Sequence, residues 1–201
     1  MAWLTGWTYR KSITLSRASG AVTNYQMKLL VGESAGATGE DVDCNSHGET
    51  DFDDLRFTTA DGQTLLDYWI ESITGMTPNQ LATVWIEFDS IGTGATTFYM
   101  YYGNVGAPAY SSGANTFIAF DDFERGVNGD PLGGTWGNVG PCTISTDHAY
   151  GGTRCGKIPY NNQSPQFYTV ANDHRALRVR MWKEDATGNA YLTWGLSATY
   201  A

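Results

Sequence analysis

Leu81-Ala82-Thr83-Val84-Trp85-Ile86-Glu87-Phe88 is the stretch that decides the fold. Ala82, Val84, Ile86 and Phe88 fall on one side of an extended chain, and Thr83, Trp85 and Glu87 on the other. A strand turns successive side chains to opposite faces, so this alternation reads as a strand with one row in a core. The reading extends upstream. Gln26-Met27-Lys28-Leu29-Leu30-Val31 sets Met27, Leu29 and Val31 inward, and Tyr9-Arg10-Lys11-Ser12-Ile13-Thr14-Leu15 separates Ile13 and Leu15 from Arg10, Ser12 and Thr14. Leu55-Arg56-Phe57-Thr58 is a short strand before the Asp61-Gly62 turn, and Leu65 to Glu71 is an aromatic-rich one. Downstream, Thr96 to Tyr102 is β-branched and aromatic throughout, which fits a pleated, half-buried surface. Beyond Gly113 the chain becomes turn-rich, with further strands predicted at Gln166 to Val170, Leu177 to Lys183 and Ala190 to Leu196. Apolar residues nowhere recur at helical spacing over three turns, so no long helix is predicted. The expected fold is all-β: an antiparallel sandwich or jelly roll in two β-rich units, 1–113 and 114–201.

Composition bounds the function. The 201 residues are 41% apolar but only 16% charged, enough for a packed core and poor in helical surface. Twelve basic against 21 acidic residues give a net charge of −9, which excludes a general nucleic-acid binder needing a basic footprint. No apolar run reaches the roughly 20 residues of a membrane-spanning helix. Met1-Ala2-Trp3-Leu4 has neither a basic n-region nor an apolar h-region and does not read as a signal peptide. The expected location is extracellular, on a cell surface or in a virion, after removal of a leader or release by lysis.

The acids cluster. Glu40, Asp41, Asp43, Glu49, Asp51, Asp53 and Asp54 are a third of the chain's 21 acids, with no Lys or Arg among them. Asp41, Asp43 and Asn45 place oxygens at alternate positions, and with Asp51 and Asp53 they are candidate calcium ligands, since calcium takes about six to eight oxygens. Counted from Asp41, an EF-hand would need Gly where Ser46 stands and Glu where Phe52 stands. The choice is therefore between an irregular calcium loop and a solvated acidic loop. Cys44, Cys142 and Cys155 are an odd number. Cys142 and Cys155 flank the Tyr150-Gly151-Gly152-Thr153 turn and are either a disulfide, contributing about 3 kcal/mol, or two small buried thiols.

Catalytic patterns are thin. Glu71 and Glu87, each on a strand beside Trp, are the carboxylates to consider for glycoside hydrolysis. In Glu87-Phe88-Asp89, however, Gly92 occupies the place where concanavalin-A-like glucanases carry a further Glu. No Gly-x-Ser-x-Gly elbow, phosphate loop or Cys-x-x-Cys occurs, and His47, His148 and His174 are scattered. The chain is expected not to be an enzyme. Aromatics are the stronger signal: seven Trp, twelve Tyr and eight Phe. Trp69 and Trp85 lie on the strand face opposite Ile70, Val84 and Ile86, so with Glu71 and Glu87 they form a candidate glycan platform. The alternative is that these rings are buried by packing.

Three ordered segments carry a resemblance. They are Trp7-Thr8-Tyr9-Arg10-Lys11-Ser12-Ile13, then Asp54-Leu55-Arg56-Phe57 with Asp61-Gly62 and Tyr68-Trp69-Ile70-Glu71, then Val84-Trp85-Ile86 with Tyr99 to Asn104. Together, over about residues 3 to 108, they resemble the DUF2341 domain, a module of unknown function in bacterial, archaeal and phage-associated surface proteins. That resemblance implies a following laminin-G-like or concanavalin-A-like sandwich. Phe120-Asp121-Asp122-Phe123-Glu124, with Trp136 and Ala149-Tyr150-Gly151-Gly152, is similar to the opening of one. The chain from Ala119 to Ala201 is short for such a domain, so a longer protein, a completing partner chain or a reduced unit is expected. The expected function is a non-catalytic structural or adhesion protein of a cell surface or virion, such as a phage tail. It would act in attachment or assembly with other subunits, in contact with glycans. The alternative is a carbohydrate-binding module of a larger secreted polysaccharide-active enzyme.

Overall fold

The computed structural model describes residues 2–36, 39–134, 136–137, 140–149, 151–159 and 166–167. The strands expected at 177–183 and 190–196, the end of the one expected at 166–170, Tyr150 and His174 lie outside the described residues. The chain divides into two compact units, Met1–Asp122 and Phe123–Ala201. The division falls after Asp122 rather than at 113, because Phe117 and Phe120 pack on residues of the first unit.

The first unit contains β1 (Tyr9–Arg17), β2 (Val22–Gly32), β3 (Val42–Asp43), β4 (Arg56–Thr58), β5 (Leu65–Leu66), β6 (Tyr68–Thr74), β7 (Leu81–Ile91) and β8 (Gly94–Tyr102). One helical turn, α1 (Gly113–Thr116), follows. The strands form two four-stranded sheets, ordered β1-β8-β4-β5 and β3-β2-β7-β6. All pairs in them are antiparallel except the short β2–β3 contact, where Val31 opposes Val42. The alternating rows meet between the sheets as predicted. Ala82, Val84, Ile86 and Phe88 of β7 and Leu29 and Val31 of β2 are buried with Phe57, Phe98 and Met100 from the other sheet. Burying each large apolar side chain contributes about 1.5–3 kcal/mol. The fold is an all-β sandwich.

Two stretches depart from expectation. Leu65 to Glu71 is not one strand. Leu66 pairs with Phe57 in the first sheet and Tyr68 with Ile86 in the second, so the chain changes sheets at Asp67. Buried Tyr68 fixes the corner by donating its hydroxyl to the Leu55 carbonyl at 2.7 Å. β8, in turn, is buried on both faces rather than one. Phe98, Met100 and Tyr102 face the core, while Tyr99 and Tyr101 lie beneath the Arg10 guanidinium, 4.4 and 5.8 Å from their ring centres.

The second unit contains β9 (Trp136–Gly137), β10 (Thr143–Ser145), β11 (Cys155–Lys157) and β12 (Gln166–Phe167). β10 pairs antiparallel with β11, and β9 with β12. Leu132, Cys142 and Ile144 form its small core, with Phe123 and Trp136 packed against them. Gly156 is required there, since a β-carbon at that position would meet the Phe123 ring at 2.7 Å.

Candidate functional site

Parts of the three motif segments meet around Asp54-Leu55-Arg56, where Trp7, Gly103 and Asn104 are fastened to Asp54. Asp54 is fully buried. Its Oδ1 accepts the Glu49 N–H at 3.1 Å, and its Oδ2 accepts those of Gly103 and Asn104 at 2.6 and 3.3 Å. Its carbonyl takes the Trp7 indole N–H at 2.7 Å. Buried Arg56 donates to the carbonyls of Asp53, Leu55 and Pro108, between the rings of Trp7 at 5.1 Å and Tyr110 at 5.0 Å. Arg10 reaches the Tyr101 hydroxyl at 3.0 Å and the Ala2 carbonyl at 3.1 Å. The segment before β1 and the segment after β8 are thus both fastened to Asp54-Leu55-Arg56.

The aromatic face lies on the outside of β2, β7 and β6. Strand register sets Lys28, Trp85 and Trp69 in one row and Gln26 opposite Glu87 in the next. A bulge between Ile70 and Ser72 re-aims the strand at Glu71, whose Oε2 accepts the Trp85 indole N–H at 2.8 Å. The expected grouping of Trp69, Trp85 and Glu71 is therefore present, with Glu87 beside it. These rings are not a bare platform, however. Phe117 packs edge-on to Trp69 and Trp85 at 5.8 and 5.9 Å, and Phe120 to Trp69 at 4.8 Å. All four rings are half-buried.

The strap that brings Phe117 and Phe120 there is tied down. Ser112 donates its N–H to the Tyr68 carbonyl at 2.8 Å, and Ser111 Oγ accepts the Ile70 N–H at 2.9 Å. Ser112 also caps α1, accepting the Asn115 N–H. Gly113 leaves room for Phe120, whose ring occupies the place a β-carbon would take. Sequence reading missed both phenylalanines, because a loop packed onto a sheet has no periodicity of its own.

Burial, with Asp67 and Asp89 nearby, raises the Glu87 carboxyl above its ordinary value of 4.5. A raised folded-state value means stability is lost as pH climbs from the ordinary carboxylate range through that value. Glu87→Gln is therefore expected to raise the melting temperature at neutral pH and to leave it unchanged near pH 3; a flat difference across that range would remove the linkage. Nearby, Gln26 Nε2 is buried without a hydrogen-bond partner.

The five candidate calcium ligands are not brought together. Asp41 Oδ2 accepts the Leu30 N–H at 2.8 Å. Asp43 pairs with Lys11 at 2.8 Å and accepts the Asn45 N–H, while Asp51 accepts the Asp53 N–H. Asp43 and Asp51 brace tight turns in this way, and Asn45 and Ser46 take left-handed φ of 51° and 60°. Among the described residues no group of three or more His, Cys, Asp or Glu is arranged to hold a metal. Cys142 and Cys155 are thiols, not a disulfide. Register pairs Cys155 with Ser145, which puts Cys142 three residues along the ladder, about 10 Å away, beyond the reach of a bridge.

The proposed opening of a second sandwich, Phe120 to Glu124, straddles the unit boundary. Phe120 packs on Trp69 in the first unit and Phe123 on Trp136 in the second. No curated protein and no solved structure matches the chain. A family model does match, beginning at Asp51, downstream of the Trp7 to Ile13 motif, although β1 belongs to the same sandwich through its pairing with β8. Residues 51–139, which include Asp54-Leu55-Arg56-Phe57, Tyr68-Trp69-Ile70-Glu71 and Tyr99 to Asn104, match the domain of unknown function DUF2341.

Proposed function

We propose that the chain is a non-catalytic attachment or assembly module of a cell or virion surface, touching glycan through the outer face of β2, β7 and β6. The observation that carries this reading is the patch of four half-exposed rings, Trp69, Trp85, Phe117 and Phe120, beside Glu71 and Glu87. Ring edges offer apolar surface to the C–H faces of a sugar, and acids beside them take its hydroxyls. A depression of about 470 Å³ at the end of the β6–β7 hairpin is lined by Gly36, Thr74, Gly75, Asn79 and Leu81, none of them ionisable. The test is a glycan array read with the wild-type chain and with Glu87→Gln. Binding by the wild type, weakened at least tenfold in the variant while its melting temperature is kept or raised, is the expected result. No binding by the wild type to any glycan would remove the sugar contact and leave assembly.

A further inference from the structure

Sheet edges expose unpaired N–H and C=O groups and invite a further strand, so each edge of the sandwich needs protection. Two of the four are protected by construction. β5 has two residues, too short to template pairing, whereas β3 covers only Val31 and Gly32 of β2. β6 carries a bulge, and its Tyr68 and Ile70 backbone groups are occupied by Ser112 and Ser111. The edge at β1 runs for nine residues and, among the described residues, pairs only with β8. Its core-facing row is Lys11, Ile13 and Leu15, in which Lys11 opposes buried Met100. An ammonium thus stands in the inward row of the long edge, and it pairs across the open side of the sandwich with Asp43 of β3 at 2.8 Å.

We propose that Lys11 is a guard residue that stops β1 from adding the β1 strand of a second copy of this chain. A strand added there would extend the core-facing surface over Lys11 and take its charge out of water, a cost its partner Asp43 offsets only in part. The occupant held off is a second copy because an antiparallel strand is complementary in length and direction to its own two-fold image. In that image Lys11 would oppose an apolar Leu15 if the axis passes through Ile13.

Sedimentation velocity of the full chain tests this with Lys11→Met, Lys11→Gln and Lys11→Arg against the wild type at one concentration. The expected result is a twofold higher mass for Lys11→Met than for the wild type, with Lys11→Arg unchanged. Amide exchange should show the outward β1 groups newly protected in Lys11→Met. Should Lys11→Met fail to fold, Lys11→Gln decides by the same readouts. The proposal is overturned if folded Lys11→Met or Lys11→Gln keeps the wild-type mass and β1 exchange, or if alternate β1 amides are already protected in the wild type.

Discussion

Asp54→Ala is expected to destabilise the first unit by about 3–4 kcal/mol, because a buried N–H left without an acceptor costs about 1–3 kcal/mol and this carboxylate serves three of them. The loss is concentrated where the chain is irregular. Glu49 lies in the acidic loop, and Gly103 and Asn104 lie just past β8, so one side chain fastens two segments that share no ladder. Gly103 is the residue this turn requires: its φ is 79°, and a β-carbon there would meet the Tyr9 ring. The measurement is the urea unfolding midpoint of the first unit's transition, with the slope unchanged. Asp54→Asn keeps one acceptor oxygen and is expected to cost about half as much, since charge-assisted bonds are roughly twice as strong as neutral ones. A midpoint for Asp54→Ala within error of the wild type would mean that these N–H groups find water instead.

The strands that sequence reading placed well are those whose burial has period two. β7 alternates half-buried and buried from Leu81 to Phe88, and β1 half-buried and exposed from Lys11 to Arg17, because one face meets the opposite sheet. The corner at Asp67 was invisible, since a chain that leaves one sheet and joins the next without a turn residue keeps its apolar pattern throughout. β8 was read as half-buried for a related reason. Tyr99 and Tyr101 are covered by Arg10 and Trp3, side chains from a distant segment whose approach no local pattern encodes. The same limit applies to the aromatic face: alternation put Trp69 and Trp85 on one side, but only tertiary packing put Phe117 and Phe120 over them. The acidic loop and the cysteine pair left two readings open through degeneracy. Alternate Asp and Asn residues suit tight turns as well as calcium, and a Gly-rich turn brings two strands together without fixing their register.

Arg56→Met carries the second large effect, about 2–4 kcal/mol, and it separates scaffold from contact surface. The guanidinium is buried and holds three carbonyls, those of Asp53, Leu55 and Pro108, with its carbon over the rings of Trp7 and Tyr110. Met keeps most of the volume and the ring contact but has no donor, so the Asp53 and Pro108 carbonyls lose this partner in a site that excludes water, while that of Leu55 keeps the Tyr68 hydroxyl. Lys is not a rescue. Its ammonium is a compact point charge without the planar fork that reaches several acceptors while stacking on rings, so Arg56→Lys is expected to melt near Arg56→Met rather than near the wild type. Denaturant midpoints of the three proteins decide this, and an Arg56→Lys value equal to the wild type would reduce the site to charge alone. Glycan binding per folded molecule should be the same in Arg56→Met as in the wild type, because Arg56 sits at the end of the sandwich where the motifs meet and not among the rings of the outer face. A protein that loses stability there but keeps its binding would show that Asp54-Leu55-Arg56 builds the frame, and that binding belongs to the outer face of the same matched stretch.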